Sequence, residues 1–253
     1  LVIDNFEHLI EGVDLLLAIL QAAPNVTLLV TTREQLNCQA EDRFTLDGLA
    51  TPTQVEVADV GNYAAVRLFC ERAYRLNKHF KLTAENCPAV VQICQLVEGM
   101  PLAIELAATW IEDFDCAELA VAIAQNQSIL ATTQRDIPAR HRSMQAVFDY
   151  SWQLLTPREQ RILSQLALCQ GRFSLRIAGS LTGASLIDLA GLRYKSLLRV
   201  TDAGYYDFHP LLRGFAAAML DAATRAQAEE RLATLYLQHV AAQAVTLVGA
   251  TPQ

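Results

Sequence analysis

The 253 residues carry 20 Lys/Arg against 27 Asp/Glu, a formal net charge of −7, with 52% apolar and 19% charged side chains. That balance excludes a disordered chain and supplies core for one large domain or two to three small ones. No apolar run reaches the roughly 18 to 20 residues of a membrane-spanning helix, and no secretory pattern opens the chain, so no membrane partner and a cytoplasmic location are expected.

Leu1 to Asp4 reads as a fully buried strand and Val26 to Thr31 as a second. Between them Leu9, Ile10, Val13, Leu16, Leu17 and Leu20 recur at helical spacing, and Pro24-Asn25 closes the unit. Strand, helix, strand with short joints predicts a parallel crossover. A third apolar stretch, Phe44 to Leu49, follows a polar loop, after which the pattern is helical, so the sheet is expected to be incomplete. Helices are predicted over 63–76, from an Asn86 N-cap to Glu98 with Gly99 as its left-handed stop, over 102–111 and over 116–125. Polar residues 126–143, with Pro138 and an Ala-Arg-His-Arg cluster, read as a linker. Met144 to Leu155 is a further helix, and Thr156-Pro157-Arg158-Glu159 is a capping box opening the next. Helices at 159–168, 175–181 and 185–198 precede an alternating stretch from Arg199 to Phe208 across Gly204, which together predict a winged helix. His209-Pro210 starts another helix, and Arg225 to Ala242 forms an amphipathic tail.

The resulting fold class is mixed and mostly α: an incomplete parallel α/β sheet, a helical bundle and a winged helix. The expected domains are 1–50, 51–137, 138–222 and 223–253, the last beginning a helical array. Between Arg135 and Arg199 ten Lys/Arg face four Asp/Glu, a local +6 in an acidic chain. Such a segment suits a nucleic-acid patch or a docking face. The six cysteines form no C-x-x-C pair, and the histidines show no metal-binding spacing; free buried thiols and no metal cluster are expected.

Four motifs carry chemistry. A strand ending in Asp4 delivers a carboxylate to the carboxyl edge of a parallel sheet, where open α/β folds bind ligands; the simpler alternative is a helix cap. A second strand ending in Thr31-Thr32-Arg33 brings two hydroxyls and a guanidinium to the same edge, suited to phosphate. Gly99 and Pro101 are helix stop and start signals within Glu-Gly-Met-Pro-Leu-Ala. His209 lies at a helix amino terminus, where a neutral imidazole beside exposed N–H groups suits a phosphate.

In this order and spacing, LVIDNFEHL, VTTREQL, GMPLAIELAA, a winged helix and FHPLLR resemble the STAND class of P-loop ATPases. These are the NB-ARC-like regulators of bacteria, related to plant resistance proteins and apoptotic adaptor ATPases. The resemblance covers about Leu1 to Leu220, and RHRSMQAVFDYSWQLLTPREQRIL resembles the winged-helix entry of large LuxR-type transcriptional regulators. It implies that LVID is the Walker B strand of a P-loop NTPase sheet, with Asp4 as the Mg²⁺ ligand and Arg33 as the sensor of the γ-phosphate. It further implies that Pro101 packs on adenine and that His209 touches the ADP β-phosphate to hold a closed state. Asp4 and Arg33 are thus the expected catalytic pair, and all four residues the nucleotide contacts. Three positions depart from the pattern: Met100 for Leu, Phe208 for Met and Pro210 for Asp. Asn5 follows Asp4 where an acid would favour fast hydrolysis, and Glu7 is a candidate substitute; a slow ATPase switch is expected.

The only lysines are Lys78, Lys81 and Lys195, and no G-x-x-x-x-G-K-[ST] loop occurs. The chain is therefore expected to be a piece beginning at Walker B, binding ATP or ADP poorly or not at all by itself. In the intact protein the implied cofactors are ATP/ADP and Mg²⁺. The implied partners are an amino-terminal P-loop segment, effector and sensor domains, and further copies on activation. Two other readings stand beside this one. A DNA-binding winged helix with a degenerate ATPase remnant would use Arg193, Lys195 and Arg199, but its helix is mostly apolar and carries Asp188, which disfavours direct DNA binding. A protein-interaction scaffold without nucleotide is the other.

Overall fold

The computed structural model describes residues 1–53, 59–125, 129–132, 142–201 and 203–248. It is mostly helical with a small parallel sheet, and the chain divides into two compact units. The first comprises Leu1–Thr45, Cys169–Phe208 and Arg231–Gln253; the second comprises Leu46–Leu168 and His209–Glu230.

In the first unit, β1 (Val2–Ile3) and β2 (Leu29–Val30) pair in parallel with Val2 opposite Leu29 and Ile3 opposite Val30. A seven-residue 3₁₀ segment, Phe6–Gly12, and α1 (Val13–Ala22) make the crossover, burying Phe6 and Leu16. The expected strands and crossover are present, but the expected full burial is not. Leu1, Val2 and Leu29 are 64%, 68% and 62% exposed, because only one strand lies beside each and no layer covers them among the described residues. The stretch from Phe44 to Leu49 is irregular rather than a third strand, with Phe44 and Leu46 exposed. Leu49 instead gives its N–H to the Gly99 carbonyl at 2.8 Å, within the second unit.

In the second stretch of the first unit, the Phe173 backbone exchanges two hydrogen bonds with Tyr206. Here α8 (Leu175–Thr182) and α9 (Leu186–Tyr194) start at Ser174 and Ser185, each hydroxyl accepting an N–H of the first turn. Asp188 returns the bond to Ser185, completing a capping box of about 1 kcal/mol. β3 (Arg199–Val200) and β4 (Tyr206–Asp207) form an antiparallel hairpin with Gly204 at φ 76°. The rings of Phe173, Tyr206 and Phe208 cluster beneath it.

The second unit is a helical bundle. α2 (Ala64–Leu76), α3 (Cys87–Leu96), α4 (Pro101–Ala108) and α5 (Cys116–Gln125) follow the expected apolar stripes closely. α3 packs on α5 and α2 on α4, burying Phe69, Ile93, Ile104, Leu119 and Ile123. Each such side chain contributes roughly 2 to 3 kcal/mol of transfer free energy. Asn86 stands at the N-cap of α3, but its side chain bonds Thr83 and Lys81 rather than the helix. The expected linker falls largely outside the described residues, Pro138 and residues 139–141 included. Its flanks are tied where Ala131 bridges Ser143 and Trp110 Nε1 donates to the Ile129 carbonyl. α6 (Met144–Gln153) and α7 (Pro157–Leu166) follow, α7 with the full Thr156–Glu159 capping box. α10 (Pro210–Ala218) packs on both, Phe215 lying between Phe148 and Trp152. α11 spans Ala222–Val248, longer than the expected tail.

All six cysteines are free. Burial and the neighbouring Cys87 push the Cys70 thiol up to about 11 from its ordinary 9.0. Burial and Cys70 take Cys94 to about 12, and burial, Asp115 and Cys70 take Cys116 to about 11. These thiols ionise more easily once unfolded, so their contribution to stability is whole below pH 9 and is lost as pH rises through 11 to 12. Native protein at pH 8 should resist alkylation at Cys94 and Cys116 by mass spectrometry, and its urea midpoint should fall progressively above pH 9; fast native alkylation of Cys94 would contradict this burial.

Candidate functional site

Beyond the carboxyl ends of β1 and β2, the first unit gathers polar groups around Thr31. Its N–H donates to the Ile3 carbonyl at 3.0 Å, continuing the parallel ladder, and its own carbonyl accepts the Phe6 N–H at 2.9 Å. The Thr31 hydroxyl accepts the Asn5 N–H at 2.9 Å and donates to Asp4 Oδ1. The register alone brings Asp4 and Thr31 side by side, and the hydroxyl then fixes the carboxylate. Asp4 is exposed and is not a helix cap; the cap position belongs to Asn5, held at φ 66° with no side-chain bond to a backbone N–H of the following turn.

Glu7, one turn on, points inward with its side chain 3% exposed, and Arg33 Nε lies 3.6 Å from its Oε1. The Asn5 amide, oriented with its NH₂ toward Glu7, donates to both carboxylate oxygens at 2.6 and 3.0 Å and accepts from His8 Nε2 at 3.0 Å. Two bonds from the end of α9 hold the Arg33 loop: Ser196 Oγ donates to the Arg33 carbonyl at 2.8 Å, and the Gln35 N–H to the Tyr194 carbonyl at 3.2 Å. Ser196 reaches this position in a left-handed conformation, φ 58°.

Chemically this edge offers one exposed carboxylate and a guanidinium, with the Thr31 hydroxyl committed to Asp4 and Asn5 and the Thr32 hydroxyl to the backbone of Glu34. A hard carboxylate oxygen suits Mg²⁺, which keeps waters and takes ligands from phosphate rather than from a closed protein cage. Among the described residues no group of three or more His, Cys, Asp or Glu could hold a metal. The Asp4 carboxylate is a donor of the kind that fits Mg²⁺ shared with a phosphate.

Pro101 and His209 belong to the second unit. Pro101 is exposed at the first position of α4. His209 precedes Pro210 at the N-cap of α10, its Nδ1 accepting the Leu211 N–H at 3.2 Å while Nε2 lies 3.6 Å from Glu98 Oε2. Nδ1 is therefore an acceptor and the proton sits on Nε2, toward the carboxylate. Glu98 is itself left-handed, φ 47°, immediately before Gly99 at φ 67°. A methyl group on Gly99 would lie 2.0 Å from the Leu49 carbonyl oxygen, and one on Gly48 2.0 Å from that of Glu98, so two glycines interlock to turn Glu98 toward His209. The glycine stop was legible in the sequence; Glu98, Gly48 and Ser196 were not, since each acts through a distant contact.

No family model matches the chain. Over 189 residues, 74% of its length, it is 31% identical to proteins of Mycobacterium bovis and Mycobacterium tuberculosis provisionally named HTH-type transcriptional regulators, and it spans 20% of their length. It is 27% identical over 203 residues to an uncharacterized protein of Mycobacterium tuberculosis, spanning 48% of it. Among solved structures, a STAND protein with a tetratricopeptide repeat sensor from Pyrococcus horikoshii aligns with 94% of this chain and 30% of its own. The identity is 17% and the TM-score 0.36, a superposition too loose to define a shared fold. Among the described residues no single helix is long and apolar enough to cross a membrane.

The two glycine environments separate strain from clash. Gly99→Ala should cost about 3 kcal/mol or more, whereas Gly183→Ala, at φ 72° in open space, should cost only about 1 to 2 kcal/mol. Urea denaturation of both variants checks this, and equal losses would contradict the interlock.

Proposed function

We propose that this chain carries the magnesium-holding, phosphate-sensing and latch residues of an ATP/ADP-dependent signalling switch of the STAND class, acting in transcriptional regulation. The observation that carries the reading is the strand edge, where Asp4 and Thr31 stand side by side and Arg33 follows two residues later. The names given to the mycobacterial relatives support a regulatory role. Bound Mg²⁺ would neutralise phosphate oxygens. Asp4 would hold that ion with Thr31 fixing its carboxylate, and Arg33 would answer to a terminal phosphate. Pro101 is proposed as the contact to the base and His209 as the contact to the diphosphate. With Asn5 after Asp4, hydrolysis would be slow, so the ligand acts as a conformational signal.

A direct DNA-reading role for α9 is the weaker reading. Its first turn presents Leu186 and Ile187, 59% and 83% exposed, together with Asp188, where a groove-entering helix needs polar or basic side chains.

Titration with a fluorescent ADP or ATP analogue in Mg²⁺ tests the proposal. These 253 residues contain no Gly-Lys phosphate loop, so binding should be weak, with Kd ~10⁻⁴ M or above, and Mg²⁺-dependent. Asp4→Ala should abolish the Mg²⁺ dependence, and Arg33→Ala should weaken ATP more than ADP. A sub-micromolar Kd, or binding indifferent to Mg²⁺ and to Asp4→Ala, would contradict it.

A further inference from the structure

An arginine drawn toward Glu7 has less of its charge and fewer of its five N–H donors to give to a phosphate. Its guanidinium lies 3.6 Å from a carboxylate whose side chain is 3% exposed, while Arg33 itself is 40% exposed. The pair therefore joins a buried anion to a cation that can still reach solvent. If Arg33 turned outward, Glu7 would keep the two Asn5 amide bonds but lose its neighbouring positive charge in a site closed to water. Asn5 is locked in place for that task, its backbone left-handed and its N–H bound to Thr31. The carbonyl of Arg33 is pinned by Ser196, so its side chain is anchored at the backbone while its guanidinium lies beside Glu7.

Resting on the nucleotide reading above, we propose that Glu7 is a positioning residue that competes with phosphate for Arg33. It is an internal stand-in for the terminal phosphate and sets the threshold at which the Arg33 contact forms. Glu7 is thereby removed from the role of a second catalytic carboxylate in this conformation, since its oxygens face Arg33 and Asn5 rather than the exposed edge where Asp4 stands. A neutral amide at position 7 would keep the size and one of the two Asn5 bonds and loosen the hold on the guanidinium without leaving a buried charge behind. Two effects of such a change must be told apart. Removing one negative charge near the edge favours any phosphate by Coulomb attraction alone, whereas freeing Arg33 favours a terminal phosphate only when Arg33 is present.

The experiment compares the wild-type chain with Asp4→Ala, Glu7→Gln, Glu7→Asp, Arg33→Ala and the Glu7→Gln/Arg33→Ala double variant. The probes are fluorescent ATP and ADP analogues in Mg²⁺, with circular dichroism checking folding. Glu7→Gln should bind the ATP analogue about five- to tenfold more tightly, and the ADP analogue less so, while in the Arg33→Ala background the gain should shrink to about twofold or less. Glu7→Asp, which withdraws the carboxylate by one methylene, should show a smaller gain in the same direction and decides the matter if Glu7→Gln does not fold. Binding sensitive to Asp4→Ala, with unchanged or weaker affinity in folded Glu7→Gln and Glu7→Asp, overturns this inference alone. So does a gain that survives Arg33→Ala in full. Absence of Mg²⁺-dependent, Asp4-sensitive binding in every variant overturns the nucleotide reading itself and this inference with it.

Discussion

Val2 and Ile3 run parallel to Leu29 and Val30, and the positions of the charged groups at this edge of the first unit follow from that ladder. A parallel pair places both carboxyl ends on one edge, and the register puts Asp4 opposite Thr31. Had the strands slipped by one residue, the alternation of side chains would have turned one of the two away. Thr31 then acts four times over, through its N–H, its carbonyl and both functions of its hydroxyl, to tie the turn after β1 to the end of β2. Asn5 pays a left-handed backbone for this turn, and the result directs Glu7 inward and leaves Asp4 outward.

The second unit holds its imidazole, His209, without a sheet. Its helices bury a continuous apolar core, and the connection between α3 and α4 reverses through two consecutive left-handed residues. The fit of Gly48 against Glu98 and of Gly99 against Leu49 holds that reversal. Glu98 thereby faces His209, whose other nitrogen caps α10. Packing of Phe215 between Phe148 and Trp152 holds α10 on α6, and α10 also packs on α7, so the cap and the carboxylate contact rest on the core.

Periodicity and punctuation made most of this helical order legible: the Thr156 capping box, Pro101 at a helix start and Gly99 after a helix end can each be read from a few consecutive residues. The parallel crossover was legible too, since Asp4 and Thr31 both end short apolar runs. Burial was not. An apolar run such as LVI records a preference for burial, but what covers a strand depends on neighbours the run does not specify. Phe44 to Leu49 misled for the same reason, the Leu49 N–H going to the Gly99 carbonyl instead of to a neighbouring strand. The site was half legible: the sequence delivers Asp4 and Arg33 to one edge, yet the inward Glu7, its Asn5 clasp and the Ser196 contact arise from side-chain directions and from residues over 160 positions apart. Glu98 is the counterpart in the second unit, visible only once the backbone at Gly99 is known.

Paramagnetic NMR tests directly whether Asp4 and Thr31 form a cation–phosphate edge. Mn²⁺ added with ADP to ¹⁵N-labelled protein should broaden the amide signals of Asp4, Asn5, Thr31, Thr32 and Arg33 first, and Asp4→Ala should remove that broadening. Broadening centred elsewhere, with the signals at these five positions unaffected, would contradict the account.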